Sequence, residues 1–185
     1  MNARRRLDQE LVRRQLVSGR TVAREVIGAG RVTVDGAPAS KPSRLVSPGE
    51  AVVVAGPPQR YVSRGGQKLE AALAGFGLDP DGVRAIDVGS STGGFTDCLL
   101  QHGAGSVVAL DVGRGQLHQR LRGDPRVAVH ERTNVRGVDG ASIGAPFDLL
   151  VSDLSFISLR TVMADLLGLV SDGAPLVLLA KPQFE

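Results

Sequence analysis

The chain has 185 residues, 42% of them apolar and only 3% aromatic, with one cysteine and a net charge of +3. That length holds one ordinary domain and a small one around a core of Val, Leu, Ala and Ile; the lone Cys98 excludes an internal disulfide, and the longest apolar stretches, residues 147–151 and 174–180, are far too short for a membrane span. The charge is unevenly spread: residues 1–68 hold 13 Lys and Arg against 5 Asp and Glu, and residues 69–185 hold 9 against 14, so a unit of +8 is joined to one of −5. A basic half on an acidic half suggests a polyanion-binding module attached to something else, although arginines that merely solvate a surface give the same count. The opening MNARRRLDQE has no apolar region behind it and is not a secretory signal, so a cytoplasmic protein is expected.

In chain order, Leu7, Leu11, Val12 and Leu16 recur at helical spacing within residues 6–17, and Ser18-Gly19 ends the pattern. Thr21 is placed to cap a second short helix carrying Val22, Val26 and Ile27, stopped by Gly28 and Gly30. Residues 31–34 alternate as a strand, Asp35-Gly36 is a hairpin turn signal, and residues 51–55 form another strand. Residues 56–60, GPPQR, have linker composition, which divides the chain into residues 1–60 and 61–185.

The order RLDQELV, GRTVAREVI, GRVTVDG and KPSRLVSPGEAVVV resembles the S-four RNA-binding domain over about residues 5–55. The resemblance implies RNA binding along the second helix and the adjacent turn. Arg20 and Arg24 are then the first phosphate contacts, and Arg4, Arg5, Arg6, Arg13 and Lys41 the next, since guanidinium pairs bidentately with phosphate. The usual Ser-Arg at the start of the second helix reads Gly19-Arg20 here. This segment has almost no aromatic residue, so shape and backbone, not base stacking, are the expected mode of recognition.

After the linker, YVSRGGQKL opens a helix on which Leu69, Leu73 and Phe76 are expected to share a face. Lys68 falls in its first turn, where the positive end of the helix dipole disfavours an ammonium; a solvated surface lysine fits the same position. Strands follow at residues 83–88, 107–111, 127–130, 147–152 and 175–180, with helices near 94–102, 115–121, 139–143 and 159–169. Nearly all-apolar strands alternating with helices predict an α/β fold with a parallel sheet covered on both faces, whose ligands gather at the carboxyl ends of the strands. Gly89, Asp111, Asn134, Asp153 and Lys181 all lie at or just past those ends.

The segment DVGSSTGGF, residues 87–95, breaks a strand into a glycine-rich turn at a helix start. A dinucleotide fingerprint requires a middle glycine that is missing here, so a pyrophosphate is disfavoured. The spacing, with Asp111 closing the next strand, resembles the S-adenosylmethionine loop of Rossmann-like methyltransferases. On that resemblance Asp87, Gly89, Ser90, Thr92, Gly93 and Gly94 hold the methionine end of the cofactor and Asp111 the ribose hydroxyls. A tight structural connection also satisfies the pattern by itself. Cys98, on the following helix, reads as a small core residue. Asp153, in SDLSF, lacks the prolines and aromatic with which amino-directed methyltransferases grip a planar amine, and Lys181 follows the fifth strand in KPQFE. Two lysines flanking an aspartate suit removal of a proton from a weakly acidic hydroxyl.

Lys68, Asp153 and Lys181 resemble the Lys-Asp-Lys-Glu tetrad of FtsJ-like ribose 2′-O-methyltransferases. With VSRGGQKL, DVGRGQL, ERTNVR, DLSFISL and KPQFE in order behind an S-four-type segment, the chain is identified as a member of the TlyA family along essentially its whole length. Membership implies S-adenosylmethionine-dependent 2′-O-methylation of cytidines in rRNA, in 23S and for some members also 16S, without a metal. It implies Lys181 as the leading proton acceptor, Asp153 and Lys68 orienting it and the 2′-hydroxyl, and Asn134 as an adenine-side contact. Family members continue beyond KPQFE and draw the fourth tetrad residue, a glutamate, from a later strand. The expectation is therefore a C-terminally incomplete Rossmann-like sheet, with Glu185 belonging to KPQFE, that retains RNA binding, self-associates through its uncovered edge and does not itself transfer methyl groups. Two alternatives stand beside this: a non-catalytic RNA-binding protein of ribosome assembly, and a cytolysin, suggested by the haemolysin label the family carries and opposed by the lack of a signal or span.

Overall fold

The computed structural model describes residues 4–56 and 60–185, and the chain divides into two compact units, residues 1–60 and 61–185. The middle of the expected linker, Pro57 to Gln59, lies outside the described residues.

In the first unit, strand β1 (Arg5–Arg6) leads into helix α1 (Leu7–Arg13), followed by α2 (Arg20–Gly28), β2 (Val32–Val34), β3 (Ala37–Pro38), β4 (Leu45–Val46) and β5 (Val52–Val54). The expected helix over residues 6–17 ends early because Gln15 turns left-handed, at φ 57°. Its amide then donates to the Val12 carbonyl and that of Leu16 to the Leu11 carbonyl, the two bonds of a Schellman stop. α2 begins at Arg20 with Gly19 as its extended N-cap, so Thr21 lies inside the first turn and is not the cap. Asp35 and Gly36 both have positive φ, 49° and 78°, and join β2 to β3 as the Asp-Gly signal predicts. β2 also pairs antiparallel with β5, and β1 with β4; β1, β3 and β4, two residues each, are too short to leave an alternation in sequence. Leu7 and Leu11 of α1 pack with Val26 and Ile27 of α2 and with Val32 and Val34.

The second unit contains α3 (Gly65–Phe76), β6 (Arg84–Val88), α4 (Gly94–Gln101), β7 (Ser106–Asp111), α5 (Gln119–Arg122), β8 (Val127–Glu131), β9 (Leu149–Ser152), α6 (Leu159–Leu167) and β10 (Leu176–Leu178). The five strands form one parallel sheet in the order β10–β9–β6–β7–β8, so the chain reverses its direction of winding between β6 and β9. Ligands of doubly wound sheets bind at the carboxyl end of that switch point. Successive residues face opposite sides of the sheet. Ala85, Val107, Ala109 and Val151 pack with Leu69, Leu73, Cys98 and Leu99 on one side, and Ile86, Val88, Leu110 and Leu150 with Phe147, Val162 and Leu166 on the other.

Three local expectations are corrected. Phe76 does not share the buried face of Leu69 and Leu73 but is 71% exposed at the last turn of α3, before the left-handed Gly77. The helix expected at residues 115–121 shrinks to α5, because Gly115 is left-handed and Leu117 is drawn into the core ahead of it. Residues 139–143 form only a short 3-10 turn, Gly140–Ile143, capped by the Asp139 side chain.

Candidate active site

The sheet brings together acidic groups that are far apart in sequence. Asp87 lies within β6, on the same side as Ala85, and is almost wholly buried. Its Oδ2 accepts from the backbone amide and hydroxyl of Thr96 at 3.0 and 2.7 Å, while its buried Oδ1 has no hydrogen-bond partner among the described residues. Burial pushes this carboxyl up to about 7, against the Thr96 hydrogen bonds and with the help of the Asp111 and Asp153 charges. Asp111 ends β7 and spans two loops, its oxygens accepting from the amides of Ser91 and Gly113 at 2.7 Å each.

The glycine-rich turn between β6 and α4 is internally satisfied. The amides of Gly89 and Ser90 donate to the Leu110 carbonyl, that of Ser91 to Asp111, and that of Gly93 to the Ser90 carbonyl; the exposed Thr92 accepts from the His118 amide. An anion site at a helix start needs such amides open. With these four turned inward and carboxylates of Asp87, Asp111 and Asp153 around it, the turn suits a cationic ligand. Gly93 sits at φ 92°, and a Cβ there would overlap Leu117 and Leu121, so its glycine serves packing behind the turn. Gly94, first in α4, has only 3.0 Å between an added Cβ and the Gly66 amide, which is how the start of α3 comes to lie against the turn.

That approach of α3 places Lys68. Its Nζ stands 3.5 Å from Oδ2 of Asp153, just past β9, and Nζ of Lys181, just past β10, stands 2.5 Å from Oδ1 of the same carboxylate. Lys181 also hydrogen-bonds the Ser155 hydroxyl at 2.6 Å. Three side chains from separate elements thus meet at the carboxyl end of the sheet, beside the switch point. Asn134, after β8, is exposed, with its side-chain oxygen occupied by the Arg136 amide at 3.0 Å; Thr133 beside it ties this loop to the Asp111 carbonyl. Glu185 does not approach Asp153: its carboxylate accepts from the Leu159 amide and the Ser158 hydroxyl, and the Leu159 bond is the main cause of its lowered pKa.

Sequence reasoning missed Ser155 and Phe156. Phe156 is 90% exposed at φ 67°, three residues after Asp153, with its ring 5.5 Å from that of Phe184. The signal lay in SDLSF itself: Phe156 stands three residues after Asp153, where the aromatic of amino-directed methyltransferases stands, so only the prolines of that motif are missing.

In the first unit, the basic residues are organised by buried carboxylates that sequence reasoning also passed over. Asp8 is held by Arg6 and Arg20, with Arg24 at 3.8 Å, and the Arg6 hydrogen bonds chiefly bring its pKa down to about 2. Glu10 takes Arg13 and Arg14 and is likewise lowered to about 2, mainly by Arg13. Arg4 donates to the Ser47 hydroxyl at 3.2 Å; Arg5 lies in β1 and Lys41 in the loop before β4, exposed like Arg5. Among the described residues no helix is long and apolar enough to cross a membrane, and no group of three or more His, Cys, Asp and Glu is placed to hold a metal.

Residues 61–185 match the FtsJ-like methyltransferase family and residues 5–52 the S-four domain. The 16S/23S rRNA (cytidine-2′-O)-methyltransferase TlyA of Mycobacterium tuberculosis is 53% identical over 186 aligned residues, covering all of this chain and 69% of that protein. The chain belongs to the TlyA family of FtsJ-like methyltransferases. Hemolysin A of Brachyspira hyodysenteriae, another relative of this TlyA-family chain, is 37% identical over 97% of it and 75% of its own length. A solved structure of a protein from Streptococcus thermophilus, also named for hemolysin, has a TM-score of 0.74 and 39% identity, covering the whole chain and 68% of its own. As an S-four unit ahead of an FtsJ-like sheet, the TlyA-family architecture matches the two units seen here.

Proposed function

We propose that the protein transfers a methyl group from S-adenosylmethionine to the ribose 2′-hydroxyl of a cytidine in rRNA. The observation that carries this reading is the meeting of Lys68 and Lys181 on one Asp153 carboxylate at the carboxyl end of the sheet. Its context is an S-four domain and the kinship to an enzyme named for that reaction.

The residues fit the cofactor. Asp87 Oδ1 is a buried acceptor with no partner among the described residues, suited to a cationic amino group. Asp111 spends one lone pair of each oxygen on Ser91 and Gly113; a carboxylate has about four such sites, so two ribose hydroxyls can still donate to it. Gly89, Ser90, Thr92, Gly93 and Gly94 shape the turn, and the Asn134 amide, its oxygen already used, presents N–H donors. When bound, S-adenosylmethionine supplies an electrophilic methyl on a sulfonium.

The protein's own part is to orient and deprotonate the hydroxyl. Asp153 holds both lysine side chains, and Ser155 gives Lys181 a second anchor, which fixes the direction in which Lys181 meets a hydroxyl. Lys181 would take the 2′-hydroxyl proton, and Lys68 would steady the negative charge left on the oxygen. The exposed ring of Phe156 offers a stacking face for a base turned out of its helix. Arg20 and Arg24, with Arg4, Arg5, Arg6, Arg13 and Lys41, supply backbone contacts from the basic unit.

Mapping 2′-O-methylation on rRNA from cells with and without the gene tests the proposal. Methylated cytidines should vanish on deletion and return with the wild-type gene but not with Lys181→Ala. An unchanged methylation map in the deletion strain would sink the proposal.

A further inference from the structure

The arginines of the first unit are not independent charges. Asp8, in the first turn of α1, is fully buried, yet three guanidinium groups from two segments converge on it. Arg6 spends two N–H groups on it, Nε to Oδ1 at 3.0 Å and Nη2 to Oδ2 at 3.2 Å; Arg20 spends one, Nη2 to Oδ2 at 3.1 Å; and Arg24 Nε stands 3.8 Å from Oδ2. Arg20 and Arg24 share a face of α2, being four residues apart, and α2 packs on α1. The three side chains remain 40%, 52% and 60% exposed.

A guanidinium has five N–H donors, so most donors of the three stay turned to solvent while their positions are fixed from beneath. Arg14 is the contrast within the same unit: it is only 20% exposed, and beyond Glu10 its donors go to the carbonyls of Ser47, Pro48 and Glu50. Arg14 is turned inward and holds the fold, while Arg13 on the same Glu10 stays half exposed. The Asp8 cluster is turned outward and carries two net positive charges.

We infer that Asp8 is a positioning residue for RNA: it gathers Arg6, Arg20 and Arg24 into one preorganised fan that grips adjacent phosphates of an RNA backbone. This rests on the reading of the first unit as an RNA-binding module. Holding flexible side chains in place before binding removes part of the ordering cost that three independent arginines would meet at the interface. The carboxylate would thus favour polyanion binding even though its own charge opposes it.

That opposition of sign makes the test. Asp8→Asn in the whole chain raises the net charge by one, so simple attraction predicts tighter binding of an rRNA transcript, whereas loss of the fan predicts weaker binding. The expected result is affinity lower by on the order of tenfold, measured by fluorescence anisotropy between about 50 and 200 mM salt. A second variant, Arg6→Lys with Arg20→Lys, keeps the charge but removes the planar fork, and should weaken binding similarly. Thermal unfolding is followed alongside, and if Asp8→Asn does not fold, the lysine variant decides alone. Affinity equal to or above wild type in a folded Asp8→Asn, or a lysine variant indistinguishable from wild type, overturns the inference. Should Arg20→Ala with Arg24→Ala also leave RNA affinity untouched, the RNA-binding reading falls with it; should that double variant lose affinity while Asp8→Asn does not, only the role of Asp8 falls.

Discussion

Asp111 ends β7 and Lys181 lies just past β10, with β6 and β9 between them in the sheet, and on the proposed function their variants should separate. Lys181→Ala should lower methyl transfer by about a hundredfold or more, the usual weight of a general base, with S-adenosylmethionine affinity little changed. Asp111→Ala should weaken cofactor binding first, because it removes both the ribose acceptor and the tie between Ser91 and Gly113. Calorimetry giving the reverse order would mean the two roles are exchanged. Asp87 adds a pH dependence whose sign follows from its raised pKa. Its folded value is about 7, and an unfolded aspartate titrates near 3.9. Between those values the native state holds a proton that the unfolded chain has lost, so stability falls as pH rises through that window and levels off above it. The slope is at most about 1.4 kcal/mol per pH unit. Asp87→Asn should flatten the fall, as urea unfolding at about pH 5 and about pH 8 would report; an equal pH dependence in both proteins would refute the assignment.

At the scale of elements, the site depends on how closely α3 and α4 meet the strand ends. Gly93 and Gly94 let the turn lie between the side chains of α5 and the start of α3, which carries Lys68 towards Asp153. Gly93→Ala combines a left-handed φ of 92° with overlap against Leu117 and Leu121. It should cost about 1–3 kcal/mol and weaken cofactor binding through the displaced turn, without touching RNA binding by the first unit. An unchanged unfolding midpoint would show that the leucines yield freely. The loops past β9 and β10 are joined by Lys181 on Asp153 and Ser155, by the rings of Phe156 and Phe184, and by Glu185 on the start of α6. The KPQFE segment therefore both brings Lys181 to Asp153 and supports the loop carrying Phe156.

Across the whole molecule the charge is divided by role, +8 in residues 1–68 and −5 in the rest. The basic unit suits a polyanion, and the acidic strand ends of the other suit a cationic cofactor. Arg20→Ala with Arg24→Ala should weaken RNA binding and lower its logarithmic salt slope by about two, one for each lost phosphate contact. The same affinity and slope in the double variant would place RNA recognition elsewhere.

Much of this was legible in the chain. Strand and helix alternation predicted the parallel sheet and the Asp-Gly pair the hairpin; Asp153 and Lys181 stood out because strand ends mark the ligand side of such sheets, and Lys68, in a helix, only through resemblance to the FtsJ-like tetrad. These signals are local, since period, turn chemistry and position relative to a strand are written in neighbouring residues. Where helices stop was less legible: Gln15 turns left-handed without a glycine, and Phe76 follows helical spacing yet points to solvent. Only tertiary structure decided which arginines Asp8 gathers, that Asp87 is buried with one oxygen unmatched, and that Asp111 spans two loops. Those facts rest on contacts between residues distant in sequence, and burial, which sets both the protonation of Asp87 and the fixed geometry of the Asp8 cluster, exists only once the chain has packed.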